Sequence, residues 1–204
     1  MWEGNSSKIN KTDITHQKAL NIYLPLALLS VLLVVLHVLI GSAMRNFGLH
    51  VPGYSGLVWM PLLIIGKMKW KTKISATYMA AVSTIVIVGI TPMIGAAQMG
   101  GMWFLPFLRY GIPAIVLDAL WPLFEKFSKK PFTNLIAITS LAALAHLSKV
   151  PFSMITWHFG FGHYVITHFT LSAIFLLYLT FGIVGGIVGF LVGRYHPSTK
   201  TKGV

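Results

Sequence analysis

The sequence predicts an all-α membrane protein of six transmembrane helices with the N and C termini cytoplasmic, and three observations predict it. Of 204 residues, 55% are apolar and only 10% are charged. A soluble domain carries about 25% charged residues, so this composition cannot cover a water-facing surface. The apolar residues gather into six runs, each near the length that crosses a bilayer. The basic residues fall between those runs in four groups: Lys8, Lys11 and Lys18; Lys67, Lys69, Lys71 and Lys73; Lys126, Lys129 and Lys130; and Arg194, Lys200 and Lys202. With six spans all four groups lie on one face, which holds 13 of the 16 basic residues. The positive-inside rule makes that face cytoplasmic. Adding or dropping one span would scatter the groups across both faces.

The first run, 19–41, is followed by the small residues Gly41, Ser42 and Ala43, yet it exceeds the signal-peptide core of about 7–15 residues and reads as a retained anchor. The second, 51–66, is the shortest at 16 residues, and Pro52 and Pro61 are expected to shorten its regular part further. The runs at 74–95, 103–124 and 132–149 follow. The last, 166–193, carries Gly182 and Gly186, then Gly185, Gly189 and Gly193, at four-residue spacing that lets another helix come close. Ala76 and Ala80, with Ser83 and Thr84, offer a similar surface for packing or docking on the third span. The expected organisation is a cytoplasmic tail at 1–18, a six-helix substrate-binding domain at 19–193 and a cytoplasmic tail at 194–204. Both tails are polar and expected to be mobile.

Several chemistries are excluded. There is no cysteine, hence no disulfide, thiolate metal site or cysteine nucleophile. The basic groups are separated by apolar runs rather than clustered on a soluble face, so nucleic acid is not a partner. No phosphate-cradling loop and no HExxH are present, and ATP hydrolysis would have to come from another protein. Gly53-Tyr54-Ser55-Gly56 lacks the spacing of a nucleophile elbow and reads as a turn. Asn5-Ser6-Ser7, on a cytoplasmic tail, is not a glycosylation acceptor.

With the orientation set, polar chemistry gathers at the extracytoplasmic end. His37, His50, His146, His158, His163 and His168 map there, beside Trp59, Gln98, Trp103, Arg109, Tyr110, Lys149 and Trp157. Interfacial placement explains aromatic rings and histidines better than it explains Arg109, about two turns inside the fourth span, where an unpaired charge is expensive. The candidate substrate-binding set is therefore His37, Trp59, Gln98, Trp103, Arg109, Tyr110, His146, His158, His163 and His168. Arg109 would pair an anionic group, and the histidines would supply ring contacts or a metal bond. His158, His163 and His168 step by five residues, which on a helix turns successive side chains about 140° apart and does not make a metal face. Asp118, nine residues after Arg109, lies on the opposite face of the helix and reads as a structural carboxylate.

Six spans, cytoplasmic termini and a polar outer mouth, with Pro52-Gly53-Tyr54-Ser55-Gly56-Leu57-Val58-Trp59-Met60-Pro61 and Leu105-Pro106-Phe107-Leu108-Arg109-Tyr110-Gly111, resemble the S-component, the substrate-binding membrane subunit of energy-coupling-factor transporters. The start Met1-Trp2-Glu3 sets the chain apart from that family's nickel and cobalt branch, which has a histidine next to the initiator. The resemblance implies a non-catalytic subunit in the cell membrane that captures a micronutrient outside. Its partners would be a transmembrane coupling subunit and two ATPase subunits. The cargo would be vitamin-like or a tetrapyrrole, haem or a corrinoid, with no intrinsic cofactor. Two other readings stand beside it: a redox subunit holding haem b between His37 and His146, and a structural or assembly protein with no small-molecule site.

The orientation is testable by labelling single cysteines placed at Lys71 and Gln98. In intact cells the position 98 thiol should react from outside and the position 71 thiol should not. The reverse pattern would invert the topology.

Overall fold

The structure, a computed structural model, describes residues 11–49, 51–90, 105–127, 131–156, 158 and 168–195. Those residues fold into seven helices: α1 (Lys11–Asn46), α2 (Gly56–Trp70), α3 (Ser75–Ile90), α4 (Leu105–Phe127), α5 (Pro131–Leu147), α6 (Val150–Thr156) and α7 (Leu171–Tyr195). No strand occurs among the described residues. Four segments are long and apolar enough to cross a membrane: Gln17–Met44, Phe107–Lys126, Pro131–Ile155 and Leu171–Tyr195. The third of these joins α5 to the short α6. Large apolar side chains cover the outside of the bundle, Leu28 at 64% exposure and Leu176 at 63% among them. Water does not tolerate such a surface; lipid does.

The two shorter apolar helices, α2 and α3, are 15 and 16 residues long. For α2 that is about 22 Å of helix against a hydrocarbon core of about 30 Å. Its position accounts for the shortness, because α2 packs against α1, α3, α5 and α7 and is the central helix of the bundle. Nine of its residues, from Gly56 to Lys67, are buried. Pro61, expected to cut the helix short, sits inside it, and α2 runs on to Trp70. It ends there because Lys71 adopts a left-handed conformation, φ 42°, with its amide bonded back to the Lys67 carbonyl at 3.1 Å.

The glycine stripes of α7 are internal. A Cβ at Gly189 would stand 2.8 Å from the Pro61 Cα, one at Gly193 would stand 2.9 Å from the Met68 sulfur, and one at Gly185 would strike the Gly56 carbonyl. This stripe receives α2. Its neighbour receives α5, with Gly182 against the Ala143 Cα at 2.8 Å and Gly186 against the Ala142 Cβ at 2.9 Å. On α3, Ala76 and Ala80 are fully buried, and the Ser83 hydroxyl donates to the Ser30 carbonyl of α1 at 3.2 Å. All five residues expected to serve packing or docking thus pack within the chain.

Of the N-terminal tail, residues 11–18 are helical and continue α1. Once a helix exists, each further residue adds a hydrogen bond without a new nucleus. At the other end of α1, the Leu49 amide reaches back to the Met44 carbonyl at 2.8 Å across Gly48, φ 68°, a Schellman-type stop.

Asp118 binds three helices together at the end where the basic residues lie. Its Oδ1 accepts from the Lys67 ammonium at 2.6 Å and from the Ala76 amide at 3.3 Å, and its Oδ2 accepts from the Thr77 amide at 2.7 Å. The carboxylate of α4 therefore caps the positive N-terminus of α3 while pairing with the last turns of α2. The Lys67 ammonium also donates to the Thr72 and Lys73 carbonyls at 2.7 and 3.0 Å. Lys67, counted by its sequence neighbours among loop cations, is a buried structural group, 3% exposed.

Asp118→Asn should strand that ammonium and lower unfolding stability by about 3–5 kcal/mol. The double change Lys67→Met with Asp118→Leu should recover most of the loss, less about 1 kcal/mol for the missing cap. Unfolding of the detergent-solubilised variants reads both. A double variant no more stable than Asp118→Asn would refute the buried-pair account.

Candidate functional site

The site begins where helix is missing. Between α1 and α2 the chain turns at residues 51–55, and Pro52, Gly53 and Ser55 are buried. Non-helical backbone inside a membrane protein is tolerated where protein covers it or where it lines a cavity, and an interrupted, short apolar segment is a pointer to a binding site. Gly53 has φ +81°, and a Cβ there would stand 2.9 Å from the Tyr178 ring. Only glycine meets both constraints. Its carbonyl accepts from the Gly56 amide at 2.8 Å, opening α2, and from His146 Nε2 at 3.0 Å.

A second interruption delivers a cation. Between α5 and α6 the Lys149 amide bonds the His146 carbonyl at 3.2 Å, and the Lys149 carbonyl accepts from the Ser153 amide at 2.9 Å. The break turns Lys149 inward, leaving it 1% exposed. Its ammonium donates to the Ser55 hydroxyl at 2.7 Å and lies 4.3 Å from the centroid of the Tyr110 ring. Arg109, on α4, approaches the same ring with its Cζ at 5.7 Å and donates to Tyr178, whose hydroxyl donates to Ser153 at 2.9 Å.

Aromatic rings form the remaining walls. Trp59 and Tyr110 stack at 4.2 Å with 11° between their planes. His37 stacks on Tyr54 at 5.7 Å and meets Tyr110 edge-on, with the Tyr110 hydroxyl and His37 Nε2 hydrogen-bonded at 3.1 Å. His146 stacks on Tyr178 at 4.8 Å. A crevice of about 170 Å³, too tight for a water molecule, lies among Trp59, Met60, Arg109, Tyr110, Pro113, His146 and Lys149.

Three buried polar atoms of this lining have no hydrogen-bond partner: Trp59 Nε1, Arg109 Nε and His146 Nδ1. Buried polar atoms are nearly always satisfied, so three around one crevice mark it as a place for something polar. Because His146 Nε2 donates to a carbonyl, Nδ1 of the neutral ring is an acceptor. The unmet capacity is thus two donors and one acceptor, beside two cations. Among the described residues no carboxylate lines the crevice. Asp118 and Glu125 lie nine and sixteen residues beyond Arg109 on α4, roughly 14 and 24 Å along the axis, and Asp13 opens α1, 24 residues before His37, roughly 36 Å away.

Of the residues expected from the sequence, His37, Trp59, Arg109, Tyr110 and His146 come together. His158 and His168 are exposed, and neither lines the crevice. Gln98, Trp103 and His163 lie outside the described residues. Among the described residues no three His, Asp or Glu side chains converge as for a metal. Sequence reasoning left Lys149 out of the set and dismissed Tyr54 and Ser55 as a turn. The signal was present in both cases: a lysine at the end of an apolar run, and a Pro-Gly break in the shortest run.

No family model matches the chain, no curated protein matches it, and no solved structure matches it.

Gly53→Ala should be destabilising by more than about 1 kcal/mol, since it combines a left-handed φ with a collision against Tyr178. Gly111→Ala, where a Cβ meets nothing within 4 Å, should be neutral or slightly stabilising. Thermal unfolding of the two variants side by side checks the contrast.

Proposed function

We propose that this chain is the substrate-capture membrane subunit of an importer of the energy-coupling-factor type, and that it binds a small, planar, anionic micronutrient from the extracytoplasmic side. The observation that carries the reading is the crevice itself: Arg109 and Lys149 enter a ring-walled space with no carboxylate to balance them. A buried lysine and a half-buried arginine without an acid beside them among the described residues are expensive in a membrane, and an anionic ligand removes that cost. The stacked rings of Trp59 and Tyr110 make the wall aromatic, which suits a ligand that carries a ring of its own.

The placement of charge supports the direction. His37, Trp59, Arg109, Tyr110, His146 and Lys149 cluster at one end of the helices, while Lys67, Asp118 and the described basic residues Lys69, Lys71, Lys73, Lys126 and Arg194 belong to the other. In a six-span arrangement, with α2 and α3 completing the four long helices, the positive-inside rule puts the crevice outside. The chain has no phosphate-binding loop, so a driven uptake cycle calls on separate ATPase and coupling subunits, and the apolar outer faces of the bundle are where a membrane partner would sit. The bis-histidine haem alternative draws no support, since His37 Nε2 and His146 Nε2 are both already hydrogen-bonded within the protein.

The test is a titration of the purified chain with the small molecule that co-purifies with it, identified by mass spectrometry. Arg109→Ala should weaken binding by about 1.5–3 kcal/mol, the value of a charged hydrogen bond, while the protein stays folded. His146→Ala should also weaken it, and His158→Ala and His168→Ala should not. The chain alone should show no ATPase activity. Parent-like binding by Arg109→Ala and His146→Ala would move the site elsewhere, and a tightly held haem in the purified protein would favour the redox alternative.

A further inference from the structure

Within that reading, we propose that the ligand carries two negative charges on or beside one aromatic ring, held by Arg109 on one side and Lys149 on the other. The inference deepens the proposed function and rests on it. It starts from a redundancy: a single anionic group needs one cation, and the crevice holds two. They come from separate elements, Arg109 from α4 and Lys149 from the break between α5 and α6, yet both converge on the Tyr110 ring, with Cζ at 5.7 Å and Nζ at 4.3 Å from its centroid.

Neither cation is exhausted by the protein. The Lys149 ammonium has three N–H groups; one is given to Ser55 and the ammonium rests on the face of Tyr110, which leaves donor capacity. Arg109 has five N–H groups, and its buried Nε has no partner. A purely structural lysine in this place would be a poor solution, because an apolar side chain of similar volume fills such space without desolvating a charge. With both side chains protonated, a monoanionic ligand leaves one positive charge with no acid beside it among the described residues. A dianion balances it. A ring on the ligand suits walls made of Trp59 and Tyr110, which stack on each other at 4.2 Å and line the crevice beside both cations.

The chemistry fits two sources, a dicarboxylate and a phosphate monoester, each attached to a ring. Arg makes paired bonds to either group, and Lys acts on either as a point charge.

The test uses the full chain in lipid nanodiscs and equilibrium titration with three probes: benzoate, isophthalate and phenyl phosphate. Isophthalate or phenyl phosphate should bind at least tenfold tighter than benzoate, as one added charged hydrogen bond implies, and which of them does so identifies the source. Lys149→Met should reduce that preference to near unity. Lys149→Gln, which keeps a donor for Ser55, should do the same if loss of the Ser55 bond unfolds the first variant. Lys149→Arg should preserve it. Equal affinity of the parent chain for benzoate and both dianions, or an unchanged preference in Lys149→Gln, overturns the two-charge proposal and leaves the anion site standing. Failure of the folded, monodisperse parent to bind any of the three overturns the anion site as well.

Discussion

The close approach of α7 to α2 is the constraint on which the rest depends. Two glycine stripes on one helix let α7 seat α2 on one side and α5 on the other at backbone contact, with Pro61, Ala142 and Ala143 filling the places where side chains would otherwise stand. In hydrocarbon, helix association is driven by packing rather than by expulsion of water, so such contacts supply what an apolar core supplies in a soluble protein. Because α2 is enclosed, it need not match the bilayer in length. It can stop short, and the buried turn at 51–55 occupies the space that remains.

The bundle handles charge oppositely at its two ends. Near the basic groups, the Asp118 carboxylate meets the Lys67 ammonium and two helix-start amides, and that cluster is closed and internally satisfied. Near the crevice, the contacts of Arg109 and Lys149 among the described residues are to neutral groups: Tyr110 for both and the Ser55 hydroxyl for Lys149. The first arrangement fixes helices. The second leaves electrostatic demand unmet, which is the ground for proposing a binding site there.

Much of this was legible in the sequence, and the reasons it stopped where it did are physical. Composition and the run lengths led to an all-helical membrane protein, because lipid admits few alternatives. Arg109 stood out for the cost of a charge about two turns inside the fourth run. Gly185 and Gly189 stood out by spacing, although whether they face inward or a partner depends on which helix lies opposite, which spacing does not encode. Pro61 misled, because a proline that breaks a helix in water is accommodated when neighbouring helices enclose it. Lys149 was missed because its proximity to Tyr110 and Ser55 joins residues 39 and 94 positions away along the chain. Lys67 was misassigned for the same reason, since its partner Asp118 is 51 positions distant.

The crevice has walls in contact and no room for water, and that shape bears on rates. Under the proposed function, a ligand could not diffuse into a space that does not yet exist, so association would wait on separation of the rings, and capture would be governed by how often α2, α4 and α5 part. Should the parted form be one molecule in a hundred, the observed affinity is weaker than the intrinsic one by the same factor. Under the same proposal, a partner that held those helices apart or together would set affinity and release without touching the ligand. Residence time in such a protein is a property of the bundle's breathing as much as of its contacts.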